Sequence, residues 1–391
     1  MATLAFLAVL AGACSPDTGT EQAGGGGEVK AVSLEQVPGG SREDTLSALV
    51  DPDDPRLPTP LVDTDELRAG GPPPDGIPSV EEPTFLRAGD ASFLADDEPV
   101  LALEVDAEAR AYPVQILTWH EIVNDSVAGV PVAVTYCPLC NSAVAYDRRL
   151  GDRVLSFGVS GLLYRSALVM FDRQTESLWT HYTGQAIAGT LTGQELDTFP
   201  VSTVSWSDWR GEHPDGWVMS RNTGHRRSYG NNPYPGYDDV NSSPFLFEGR
   251  VDDRLAAKTR VLGIGDEDGA IAIVLDELAE SSLVAVEVGG RSLVAFHKPG
   301  TASALDDRTV AGGRDVGATG VFDRVVDGQK LTFRSDGGRF VDEQTGSTWT
   351  ILGTAVGGPL VGRQLSPVEH VDTFWFAWAA YLPETVIAAE G

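Results

Sequence analysis

Cys137 and Cys140 stand three residues apart in the stretch T-Y-C-P-L-C-N-S-A, and two thiols at that spacing can hold a soft metal ion or close a disulfide on a tight turn. The one other cysteine is Cys14, close to the N-terminus. Two thiolates leave a four-coordinate metal short of ligands, so histidine has to complete it. His120 is the nearest candidate, followed by His181 beside Trp179, and the ion such a set suits is Zn or Cu. Glu121 stands next to His120 and is the candidate base if one coordination position stays open for water. Tyr136, Asn141 and Ser142 flank the thiols and are expected to support them. Arg148 and Arg165 could hold an anionic substrate, while His213, His225 and His370 carry no functional expectation. Two other readings stay open. One is thiol–disulfide chemistry or a structural disulfide, and the other is a non-catalytic binding module with a ligand cleft between two repeats.

The elements that must position the thiols are legible around them. An apolar, β-branched run, Val132 to Thr135, enters the turn and Ala143 to Tyr146 leaves it, which predicts strand, turn, strand. The turn resembles the C-P-x-C-G knuckle of zinc ribbons and rubredoxins. Asn141 replaces the glycine, and asparagine is the next-best residue for a left-handed position. A helix is predicted from Pro113 through P-V-Q-I-L-T-W-H-E-I-V-N-D. An internal repeat then sets the architecture. Gly129 to Arg148 lines up with Gly289 to Arg308 without a gap, placing His297-Lys-Pro-Gly300 opposite the C-P-L-C turn. Thr175 to Thr180 matches Thr345 to Thr350, and Trp206, Trp209 and Pro214 match Trp375, Trp378 and Pro383. The expected fold is therefore mainly β (β-rich α+β), two tandem copies of one small β domain. Each copy is closed by a short C-terminal helix starting at Ser202 or Asp372. The copy-two stretch T-A-S-A-L-D-D-R reads as extended, which argues against a thioredoxin-like placement of the cysteines at a helix start.

Composition bounds the partners. With 57 acidic against 28 basic residues and a net charge of −29, the surface repels phosphate backbones, so nucleic acid is disfavoured and a small molecule is the expected partner. Met1 to Ala13 form a short apolar leader ending at Cys14. That is the form of a lipoprotein signal (1–14) with Cys14 as lipidation site, giving an extracytoplasmic protein anchored to the membrane only by its lipid. Residues 15–82 read as a Gly/Pro/acidic tether. The first repeat domain spans 83–220, a connecting loop 221–249 and the second repeat domain 250–391.

The words A-Y-P-V-Q-I-L-T-W-H-E-I-V-N-D, T-Y-C-P-L-C-N-S-A, G-L-L-Y-R-S-A-L-V-M-F-D-R, N-N-P-Y-P-G-Y-D and F-W-F-A-W-A-A-Y resemble the bacterial domain-of-unknown-function family 3179 from about residue 83 onward. The resemblance implies an extracytoplasmic or membrane-attached protein with a shared site of unassigned chemistry.

Overall fold

Short apolar runs broken by Gly, Asp and Pro leave the chain little choice but strands and tight turns, and it is mainly β. The computed structural model describes residues 46–266 and 269–388. Cys14, the leader and the tether as far as residue 45 lie outside them. Among the described residues four α-helices of seven residues each punctuate the strands. They are α1 (Val114–His120), α2 (Trp206–Glu212), α3 (Leu275–Ser281) and α4 (Trp375–Tyr381). Among the described residues no helix is long and apolar enough to cross a membrane.

Sheet layouts of the first part of the chain occur again, in the same strand order, in the second. Val201–Ser205, Pro99–Val105, Glu108–Pro113 and Trp217–Met219 are answered by Val371–Phe374, Arg260–Asp266, Gly269–Val274 and Val386–Ile387. Thr198–Phe199, Ser142–Asp147, Val130–Cys137 and Ile122–Val127 are answered by Ser366–Pro367, Ala318–Asp323, Arg291–Lys298 and Leu283–Val288. One side-chain device also recurs. Asp172 accepts hydrogen bonds from the hydroxyl and N–H of Thr175, the N–H of Ser177 and the indole of Trp179. Asp342 does the same with Thr345, Ser347 and Trp349, which is why T-E-S-L-W and T-G-S-T-W match.

Register corrects the gapless alignment around the thiols. Val127 faces Val130 across one hairpin and Val288 faces Arg291 across the other, so Cys137 corresponds to Lys298 and not to His297. The next strand confirms the shift, because Val132 pairs with Asp147 and Leu293 with Asp323. Asp147-Arg148 therefore answers Asp323-Arg324, while Asp307-Arg308 belongs to residues 299–317, a long connection standing where the first half has its four-residue turn. Sliding by one residue turns every side chain to the other face of a strand.

Three further boundaries differ from expectation. The helix after Pro113 ends at His120, and Ile122–Val127 is a strand. Glu121 terminates α1 with a positive φ (59°), and the β-branched I-V then pairs with Val134 and Thr135. The closing helices begin after Ser205 and Phe374, because Ser202 and Asp372 lie inside strands; Ser205 caps α2 by accepting from the Asp208 N–H. Residues 46–82 are also more than a tether. Ala48, Leu57 and Val80 are buried, Leu67–Ala69 pairs with Phe157–Tyr164, and Val80 exchanges backbone bonds with Ile122 and Asn124. Enough apolar residues punctuate that Pro-rich segment to dock it on a sheet.

The halves share their cores. Trp206 and Trp209 of α2 pack in one cluster with Phe296, Phe333, Phe340 and Trp349 of the second half. Phe374, Phe376 and Ala377, at the start of α4, pack in the cluster that holds Cys137, Cys140, Phe157 and Trp179. Each closing helix thus lends part of its apolar surface to the opposite half, while Trp375, Trp378 and Ala379 of α4 pack with Val261 and Ala272 of their own half.

Candidate functional site

The strands Val130–Cys137 and Ser142–Asp147 pair antiparallel with Cys137 directly opposite Ser142, which holds the two thiols and the serine at one end of the sheet. The turn closes through the Asn141 N–H to the Pro138 carbonyl at 3.3 Å, and Asn141 takes the left-handed conformation (φ 52°) that its residue type tolerates. Its side-chain oxygen accepts from the Tyr136 hydroxyl at 3.1 Å. Both cysteines are free and buried.

A single hydrogen-bond chain runs from one thiol into the protein. Cys140 Sγ lies 2.9 Å from Ser142 Oγ, and Ser142 Oγ lies 2.8 Å from His181 Nε2. His181 Nδ1 lies 3.2 Å from Thr135 Oγ1, whose own proton goes to the Val144 carbonyl at 2.8 Å. That last bond sets all the others. Thr135 has one proton and has given it away, so it can only accept, and His181 carries its proton on Nδ1. Nε2 is then bare and accepts from Ser142, and Ser142 is left to accept from the Cys140 thiol, whose other, longer acceptor is the Cys137 carbonyl at 3.8 Å. Burial keeps His181 neutral by lowering its pKa to about 4.

Cys137 sits differently. Burial pushes its thiol up, as do contact with the Cys140 thiol and its charge, while the backbone N–H groups of Cys140 and Leu168 pull the other way. Glu121 lies in the same electrostatic neighbourhood, and its carboxyl is raised well above the usual carboxylate range, by burial first and the nearby Cys137 second.

The second half and the connecting loop complete the enclosure. The Cys140 carbonyl accepts from Thr373 Oγ1 at 2.8 Å and from the Phe374 N–H at 3.1 Å, and Tyr182 donates to the same Thr373 hydroxyl. Tyr237, from the connecting loop, donates to the Leu139 carbonyl at 3.0 Å. Thr135, Tyr182, Tyr237 and Thr373 escaped sequence reasoning. Tyr182 adjoins His181 and Tyr237 lies in N-N-P-Y-P-G-Y-D, but nothing local signals that they converge on the thiols.

The other expected residues go elsewhere. His120 places Nδ1 2.7 Å from the Pro78 carbonyl and Nε2 2.6 Å from the Tyr229 hydroxyl, so both nitrogens are engaged away from the cysteines. The His225 ring lies tilted beside it, centroids 5.3 Å apart. Arg148 donates to the carbonyls of Leu155 and Asp125 at 2.8 and 2.9 Å, and Asp147 pairs with Arg149 in its place. Arg165 donates to the Ala380 carbonyl and lies over Tyr164, tying α4 to the first half. Neither arginine presents a free guanidinium to the thiols. As folded, the donor set is two sulfurs with His181 one serine away. Among the described residues no three His, Cys, Asp or Glu side chains are grouped to hold a metal ion, so a four-ligand zinc site of Cys137, Cys140, His120 and His181 does not fit this arrangement.

Fold and site together define a mainly β protein in which a buried dithiol turn is clamped between two halves of like strand order. The chain belongs to the family described as "Protein of unknown function (DUF3179)", which it matches over residues 74–385. No curated protein and no solved structure matches it.

Proposed function

We propose that Cys137 and Cys140 form a redox-active dithiol that cycles between two thiols and one disulfide. The observation that carries this reading is the chain from Cys140 through Ser142 to the bare Nε2 of His181, a path by which a buried thiol can lose its proton. Burial favours it as well. Dithiol and disulfide are both uncharged, so an apolar enclosure that penalises a lasting thiolate penalises neither end state. Cys140 passes its proton to His181 and, as thiolate, attacks one sulfur of a small disulfide, releasing the other half as a thiol that takes up a proton. Cys137 then attacks the Cys140 sulfur of the mixed disulfide, its proton leaving with the second released thiol. Two thiols are oxidised and one external disulfide is reduced. The lipoprotein leader read at 1–14 would place the protein outside the cytoplasm, where such exchange is sustained.

The N–H donors on Cys137 favour a second reading, capture of a thiophilic ion such as copper by the two sulfurs, because they stabilise a thiolate. Thiol titration with metal analysis separates the two on the wild type and on Cys137→Ser. In protein that starts after Cys14, the redox reading expects two titratable thiols after reduction, none after treatment with a small disulfide, and no bound metal. About one equivalent of copper or zinc, lost in Cys137→Ser, carries the metal reading instead. Thiols that neither oxidise nor bind metal sink both.

A further inference from the structure

The two halves leave between them a cleft of about 730 Å³, walled by residues 182–201 and strand Ser142–Asp147 on one side and by strands Arg260–Asp266 and Val371–Phe374 with α4 on the other. Its volume lies within the range of small-molecule sites. The chemistry of its lining is one-sided. Glu195 and Asp197 face it from the first half and Glu369 from the second, and no lysine or arginine lines it. Glu195 and Glu369 belong to different halves yet both act on the Tyr146 phenol, which puts them on one neighbourhood of the cleft. None of the three carboxylates has an ion-pair partner among the described residues, although Arg149 stands within the field of Asp197.

An independent observation points to a ligand. His370, another wall residue, is 7% exposed and engages the Val368 carbonyl through Nδ1 at 2.8 Å. Nδ1 is therefore the protonated nitrogen, and Nε2 is left as a buried acceptor with no partner among the described residues. A buried acceptor without a donor is costly unless something supplies one. Part of the remaining wall is aromatic. Tyr182 and Tyr381 lie against each other with centroids 4.7 Å apart, and Trp378 stands beside them. Aromatic faces and carboxylates attract the same ligand, a cation with an apolar body.

We infer that this cleft binds an organic ammonium ion, with N–H donors for His370 and the carboxylates and an apolar portion lying on the tyrosines. The inference does not rest on the dithiol reading, because binding requires nothing of the cysteines. The cleft nevertheless reaches the thiol site through Tyr182, which borders the cleft and donates to the Thr373 hydroxyl that holds the Cys140 carbonyl.

Titration of the full chain with phenethylammonium, tetramethylammonium and magnesium chlorides at constant ionic strength, followed by calorimetry, tests it. The expected order is phenethylammonium tightest, tetramethylammonium weaker for want of N–H donors, and magnesium weakest. The exposed pair Glu195→Gln with Glu369→Gln should weaken phenethylammonium binding by at least about tenfold, the scale of two lost charge contacts. Glu277→Gln, the same charge change on α3 outside the cleft, should leave it unaltered. Equal binding of all three cations, binding indifferent to the cleft pair, or no binding of phenethylammonium would each overturn the assignment.

Discussion

Glu121 is the residue whose chemistry and backbone are both unusual. It carries a positive φ without being glycine, and its carboxyl is buried next to a thiol. A carboxyl raised above its ordinary pKa adds stability below pH 4.5, and that contribution is lost as the pH rises through its folded value. Glu121→Gln keeps the shape and removes the ionisation, so the variant should melt higher than wild type at pH 8, with the difference shrinking toward pH 4.5. A lower melting temperature at pH 8 would show that the carboxylate is stabilised by partners that burial does not reveal. The histidines act at the other end. His120 and His181 are held neutral to about pH 4, so their contribution is complete above pH 6.5 and lost as the pH falls toward 4. For the fully buried His181 that loss is roughly 3 kcal/mol, and it should persist unchanged in Glu121→Gln. The thiols, Asn141 and Ser142 were legible as a group because they are contiguous. The choice of His181 over His120 was not, since it depends on which strand a turn 40 residues away returns beside.

At the scale of elements the two halves differ where a single atom decides packing. Gly263 lies on strand Arg260–Asp266, and a Cβ there would stand 2.5 Å from the Trp378 ring of α4. Its register counterpart in the first half is Ala102, which has room for its methyl group beside α2. Gly263→Ala should destabilise the protein by about 1–3 kcal/mol through overpacking. Gly211→Ala, in α2 with nothing within 4 Å of the added carbon, should stabilise by about 0.5–1 kcal/mol by favouring the helix. Urea melts of the two variants check both signs, and a neutral Gly263→Ala would mean that α4 can shift on its sheet. The Trp pairs and terminal prolines made these helices readable in the sequence. Their starts were misplaced because Ser202 and Asp372 look like caps until strand pairing claims them.

For the whole molecule, the consequence of shared cores is that neither half is self-sufficient. The first half lacks a cover for Cys140, Phe157 and Trp179 without Phe374 and Phe376, and the second lacks one for Phe340 and Trp349 without Trp206 and Trp209. Fragments 46–249 and 250–391 expressed separately should show no cooperative melt by circular dichroism, and mixing them should restore one. A fragment that melts cooperatively alone would show that its own sheets suffice as a core.

By itself the sequence determined what is local: a β-rich chain, a dithiol on a strand–turn–strand, a left-handed asparagine and recurring words at matched spacing. Period, turn chemistry and side-chain volume act over a few residues and are written in order along the chain. Only the tertiary structure decided the partners. Strand register moved Cys137 opposite Lys298 in the comparison of halves, docking placed residues 46–82 in the fold, and Thr373 with the start of α4 closed the thiol site from the second half. Those outcomes follow from which apolar faces can be buried together, a property of surfaces assembled from distant segments.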